Sequence, residues 1–383
     1  MAADSSGVAF RYVEESSWGV TPSAALQILR MTGEDFAGIK KTIVSDELVG
    51  DAQVTDVIEA GYSSAGTLKG NLSFGTYDEF MSAAIRSVDF AAETAVTAAT
   101  IAATATQLTD SGNGLAAFTA GQFVKASGFT ATSLNRVYLV TAVAAGALSV
   151  YPDPATTEST GQSVTISGAD IYNGVARRSF SFEREHTDLS SIFSNWVGCR
   201  SGGMALDFKA EDRVTVSFPF MGKTEAVAGA TIGTGSPTAA TSTKMMNAVG
   251  HLVIMGEGTT HADITVLSGG FKIDNPLRNQ PVAGSTAAVG IGVSTVKAEG
   301  TITLYFADNT LKTKWLAHTQ SALAFAFQDT AGNAYGFYFP AVQFQDVKNE
   351  TPGMDTDIVL SATWHAFKDA TTGYTVHMTK MAA

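Results

Sequence analysis

The chain has 383 residues, a formal net charge of −12, 45% hydrophobic and only 16% charged residues. That length suits two or three domains, each able to bury a core. The apolar content excludes a disordered chain, and a charge fraction well under the roughly 25% of an average soluble protein leaves surface for partners to cover. Acidity disfavours a protein that grips nucleic-acid phosphates. The single Cys199 excludes an internal disulfide scaffold, and residues 1–10 lack the basic and apolar segments of a signal peptide. The longest uncharged apolar stretch, Val137 to Pro152, falls short of the roughly 18–20 residues of a membrane helix, so a soluble protein with no membrane partner is expected.

In chain order, Phe36 precedes a long segment, Ala37 to Gly61, expected to be a loop. In Thr67 to Phe74, Leu68, Leu72 and Phe74 alternate with Lys69, Asn71 and Ser73, the pattern of a half-buried strand with one polar face. A helical pattern follows Asp78. From Ala91 to Asp170 there are 19 Ala and 14 Thr but seven charges. Within that zone Gln122–Ala126, Val137–Ala142, Ala147–Tyr151 and Ser163–Ser167 alternate between turn residues, which predicts a small all-β module.

The flanking zones repeat each other. Gly70 to Asp78 aligns with Gly300 to Asp308, Phe180-Ser-Phe with Phe325-Ala-Phe, and Val214 to Phe220 with Ile358 to Trp364. Asp78 and Asp308 stand where a carboxylate caps a helix start. Only the interval from Gly70 to Phe180 breaks the match, being longer by about the length of the Ala/Thr zone. The expected organisation is mainly β, sandwich or barrel-forming sheets with short flanking helices. A first discontinuous unit covers residues 1–90 and 173–226, with an all-β module inserted at 91–172. A connector at 227–243 leads to a second unit at 244–383. The second polar strand face carries Glu299, Thr301 and Thr303. Asp274 to Gly290, like Ala37 to Gly61, is longer than a hairpin requires.

No chemical motif survives inspection. Ser217 to Thr224 ends in Gly-Lys-Thr but lacks the first glycine of a phosphate loop and alternates as a strand. The six histidines show no metal-ligand spacing. Cys199 has no histidine base placed near it by sequence. No Gly-x-Ser-x-Gly elbow occurs, and the plentiful carboxylates define no pair. No catalytic residue, cofactor or metal is expected.

Glu14-Glu-Ser-Ser-Trp-Gly-Val-Thr-Pro22, Leu29-Arg-Met-Thr-Gly33, Thr42-Ile-Val-Ser-Asp-Glu47 and Val54-Thr-Asp-Val-Ile58 resemble the start of a major tail tube protein of long-tailed bacteriophages. Gly70 to Asp78, Phe180 to Glu183 and Thr187 to Gly198 continue the likeness, the last being where such proteins place a helix and a short Gly turn. The resemblance implies β-sandwich units whose strands join into one barrel. Two units per chain would then form a homotrimeric, pseudo-hexameric ring, and rings would stack into a tube.

It implies a virion protein, assembled in the host cytoplasm. Its partners would be further copies of itself, a tape-measure protein and tail-tip or terminator proteins, and DNA would pass through without specific binding. Asp46, Glu47, Asp51, Asp56 and Arg278 are then expected at ring-to-ring contacts, and Lys69, Asn71, Ser73, Glu299, Thr301 and Thr303 at an acidic lumen. The inserted module is expected on the outside, so that its deletion leaves rings intact. A β-rich bacterial surface protein or adhesin, and an enzyme with an unrecognised site, are the alternatives.

Overall fold

The computed structural model describes residues 4–47, 50, 53–190, 192–248, 254–257, 262–350, 353–354 and 357–383. It is 51% strand and 7% helix, with antiparallel sheets, so the mainly β expectation holds. Before the Ala/Thr zone come β1 (Val8–Glu14), β2 (Gln27–Ile28), β3 (Gly33–Glu34), β4 (Ala37–Val44), β5 (Val57–Asn71) and α1 (Asp78–Ala84). The zone forms β6 (Thr94–Ala98), β7 (Ile101–Ala103), β8 (Gln107–Asp110), β9 (Phe123–Ser127), β10 (Val137–Ala144), β11 (Ala147–Tyr151) and β12 (Val164–Tyr172). Next are β13 (Phe180–His186), β14 (Phe193–Ser201), β15 (Gly203–Lys209), β16 (Thr215–Gly222) and β17 (Thr224–Ala228). After them lie β18 (Ile254–Glu257), β19 (Ala262–Asp263), β20 (Val266–Asp274), β21 (Leu277–Gln280), β22 (Gly290–Val293), β23 (Lys297–Tyr305) and α2 (Thr310–Leu316). The chain closes with β24 (Ser321–Gln328), β25 (Ala334–Glu350), β26 (Val359–Ala366) and β27 (His377–Met381).

One long sheet runs through both halves of the chain in the order β4, β5, β16, β15, β20, β23, β26, β25. One face of it packs on two covering sheets. These are β2, β1, β13, β14, β17 in the first half and β19, β18, β24, β25, β27 in the second. The pairing β1, β13, β14, β17 thus recurs as β18, β24, β25, β27. Where the first half breaks into β14 and β15 at Gly203, whose φ is +131°, the second runs on as the single strand β25.

Aromatic side chains fill the space between layers. Phe36, Phe80, Phe182, Trp196 and Phe220 are buried in the first half, and Phe271, Phe325, Phe339 and Trp364 in the second. Phe208 links the two, with ring centroids 5.9 Å from Phe325 and 5.1 Å from Phe327. In each half a glycine of the long sheet lies between two aromatic residues. Gly66 pairs with Phe220 beneath the Phe36 ring, and Gly300 pairs with Phe271 and Trp364. Gly66 thus stands to its aromatic neighbours as Gly300 does to its own.

The helices differ in how they start. Asp308 accepts from the Thr310 amide at 2.8 Å and caps α2, which also holds its carboxyl below the usual range. Asp78 instead binds Lys380 Nζ at 2.9 Å and the Tyr335 hydroxyl, tying α1 to the second covering sheet. The expected helix within Thr187–Gly198 is not formed, because Phe193–Ser201 is strand β14 pairing with β13 and β17. Its glycine does turn: Gly198 has φ +67°. The buried Glu15 carboxylate accepts from Gly198 N, while Gly198 O accepts from Trp18 Nε1.

The Ala/Thr zone has its own core, including Ile101, Leu115, Tyr138, Leu148 and Ile166. It docks on the second half. Phe123, Val137 and Leu139 pack with Ala324, Ala326, Ala334 and Met381, and Ala169–Tyr172 pair with β27. The segment 229–243 lies along the first half, with Ile232 N bonded to Glu183 and Arg30 Nη1 to Thr243 O.

Candidate functional site

Alternation on the long sheet puts core residues on one side and polar residues on the other. Cross-strand registers align the polar side chains in rows. One row runs Lys69, Ser217, Ala205, Lys272, Glu299, His365, Gln343, and the next Asn71, Thr215, Asp207, Gly270, Thr301, Thr363, Asp346. A third contains Lys209, Ser268, Thr303, Ser361 and Lys348. Lys69, Asn71, Glu299, Thr301 and Thr303 therefore share one face of one sheet. Ser73 does not join them. It lies beyond the end of β5, is buried, and its hydroxyl is 2.7 Å from that of Thr76.

This face is mixed in charge rather than acidic. Lys69, Lys209, Lys272, Lys297 and Lys348 stand against Asp207, Asp274, Glu299 and Asp346. Two of the lysines sit beside carboxylates, Lys272–Asp274 at 3.5 Å and Lys348–Asp346 at 2.5 Å, and His365 Nδ1 lies 3.3 Å from Glu299. Burial raises the Asp207 carboxyl above its ordinary range.

The sheet has two edges without a partner strand, the β25 edge carrying a bond from α2, Trp315 Nε1 to Gln345 O at 3.0 Å. Among the described residues no strand pairs with the outer side of β4 or of Gln343–Glu350 in β25. On the β4 edge the Gly38 amide donates to the Glu225 carboxylate. Unpaired edges of this length are templates for another chain.

The two segments expected as loops are hairpins. Ala37–Val44 pairs with Val57–Ala65 through one bulge, where the register shifts between Lys41 and Thr42, and Leu277–Gln280 pairs with Gly290–Val293. Both leave the long sheet at the same end, and Tyr62 N donates to Thr286 O at 2.8 Å, joining them. Beyond the last β5–β16 pair, Ser64–Gly222, the first hairpin is an arm with both faces in solvent. Ile43 pairs with Ile58 and Val44 with Val57, all about half exposed. Burying the exposed half of such a side chain stabilises a contact by on the order of 1 kcal/mol. Asp46, Glu47 and Asp56 are exposed at the arm tip, where Ser45 N bonds Asp56 O and Thr55 Oγ1 bonds Glu47. Asp51 lies outside the described residues. Arg278 is exposed on the second hairpin, in β21. The apolar pairs were missed from the sequence, although Ile43-Val44 and Val57-Ile58 carry the signal.

No group of three metal-ligating side chains occurs among the described residues. Cys199 is fully buried, and burial pushes its thiol well above the ordinary range, so it is poorly suited to act as a nucleophile. Ser217–Gly222 is strand, and no helix among the described residues is long and apolar enough to cross a membrane.

A polar sheet face, open sheet edges and projecting arms define a self-assembling β protein. A family model for phage tail tube proteins matches residues 5–366. The chain belongs to that family, which is one of structural virion tail components that self-assemble into a tube. No curated protein matches the chain.

Proposed function

We propose that three chains close into a ring around a bore lined by the polar face of the long sheet, and that stacked rings conduct DNA and the tape-measure protein. The single observation that carries this is the seam between β15 and β20, where the first half of the chain already pairs with the second. The open edges repeat the two sides of that seam. By position on the sheet, Gln345–Glu350 corresponds to β15, and Gly33–Ile39 to β20. The same antiparallel register between chains sets Asp346 opposite Ile39 and Lys348 opposite Ala37 of the neighbour. Eight strands from each of three chains then close a barrel without edges.

On this reading each chain holds two equivalent tube units from a duplication. The Ala/Thr module belongs on the outside, since it docks on the covering sheet and not on the polar face. Lys272 and Lys348 sit beside carboxylates and the charges of the wall nearly balance, so it would neither repel phosphates strongly nor hold them, and DNA slides through. The arms would bridge rings, because their exposed Ile and Val pairs call for a neighbour.

Cysteines placed at Ile39 and Asp346 test the seam. Oxidation should link one chain to the next and give covalent trimers on denaturing gels. Absence of any interchain link in assembled protein would overturn it.

A further inference from the structure

Arg86, Arg177 and Lys368 line one hollow together with Asn173, Val296 and Thr375. In a chain of net charge −12, none of these three cations has a carboxylate in ion-pair range among the described residues. Arg86 reaches only backbone carbonyls, of Ser294 at 3.3 Å and Val175 at 3.5 Å, and its Nε is buried without a partner. The acid next in sequence, Asp369, turns into its own loop and accepts from Thr371 N, Thr372 N and Thr372 Oγ1. The apolar Val293 and Val296 line the same hollow. The hollow therefore asks for carboxylates carried on an apolar segment.

We infer that this hollow receives the tip of the β4–β5 arm of a second copy, from the adjoining ring. The inference rests on the stacked-ring function proposed above. The tip has the complementary chemistry: Asp46, Glu47 and Asp56 stand beside the exposed Val44, Val54 and Val57. Its length also fits. From Ser64 to Val57 the arm spans seven residues, as does the body of β5 from Ser64 to Asn71, about 23 Å each at the rise of a strand. An arm laid along the next ring covers the height of that ring's sheet and returns the tip to the end where its own hairpins leave. Ser294–Val296, just before β23, line the hollow at that end. Opposite charges brought together there select the register between rings.

The test is charge reversal in the full chain, with ring formation read by mass photometry and stacking by pelleting and electron microscopy. Arg177→Glu with Lys368→Glu should keep trimers and reduce pelleted tubes at least tenfold. Asp46→Lys with Glu47→Lys should do the same, and the four changes combined should restore tubes. If the tip variant loses stacking but the hollow variant stacks normally, the arm bridges rings elsewhere and this inference fails alone. If neither variant changes stacking, the bridging role of the arm fails as well. Should the reversed hollow fail to give trimers, Arg177→Gln with Lys368→Gln decides: a stacking loss that is large at low salt and narrows as salt screens the pairs of the unaltered chain supports the hollow, and unchanged stacking overturns it.

Discussion

Gly66 and Gly300 each let an aromatic ring lie flat on the long sheet, and a Cβ at Gly300 would stand 2.5 Å from both Gly270 O and Trp364 Cζ2. The carbonyl belongs to a paired strand and cannot retreat. Gly300→Ala should therefore cost about 1–3 kcal/mol through overpacking; an unchanged urea midpoint would contradict this. The repeat of this feature was only half legible. Gly66, Leu68 and Gly70 face the same way, so a slip of four residues keeps every face correct. Glu79 shows a second residue-scale effect that spacing cannot encode. Burial raises its carboxyl to about 7, against the lowering influence of Arg178. The folded protein therefore holds a proton there that the unfolded chain releases near pH 4.5, and stability falls as pH rises from about 4.5 to about 7. Glu79→Gln should flatten that slope and raise the melting temperature at pH 8 more than at pH 5. Equal shifts at both pH values would refute it.

Strands were the elements most readable in the sequence. The four alternating runs of the Ala/Thr zone correspond to β9, β10, β11 and β12, because period-2 patterning is a local signal. What the module docks against was not readable, since Phe123 meets Ala324, Ala326 and Ala334 across some 200 residues of chain. That docking changes what deletion should do. Removing 91–170 leaves the long sheet and its open edges intact, so trimers should still form. It also takes Ala169 and Asp170 from the strand that pairs with β27, leaving Ile171 and Tyr172 there, and exposes Met381, so the melting temperature should drop by several degrees. A deletion variant as stable as the full chain would show that the contact contributes nothing.

The arm does not read as a strand in the sequence. Lys40-Lys41 and the acidic tip mask its alternation, and both of its faces are exposed, so the polar–apolar contrast that marks an ordinary strand is missing. Ile43→Ser with Ile58→Ser should leave trimers intact and weaken stacking, read as shorter tubes at equal protein concentration. Tubes of unchanged length would remove the arm from the ring-to-ring contact.

At the scale of the molecule, the tail tube family and its β architecture follow from motif order and patterning, whereas the electrostatics of the polar face do not. Net charge is a sum over the chain. The long sheet sorts lysines and carboxylates onto one face in near balance, and only cross-strand register reveals that sorting. The same register joins the halves through β15 and β20 and leaves matching edges at β4 and β25. The central claim is that those edges meet between chains. A three-dimensional electron-microscopy reconstruction of assembled tubes tests it most directly. The expected map has threefold rings and an unbroken wall of twenty-four strands, eight from each chain. Asp346 would lie opposite the neighbour's Ile39, and Lys69, Thr301 and Thr363 would face the bore. A bore lined by the covering sheets, or a gap between β4 and β25 of adjacent chains, would contradict it.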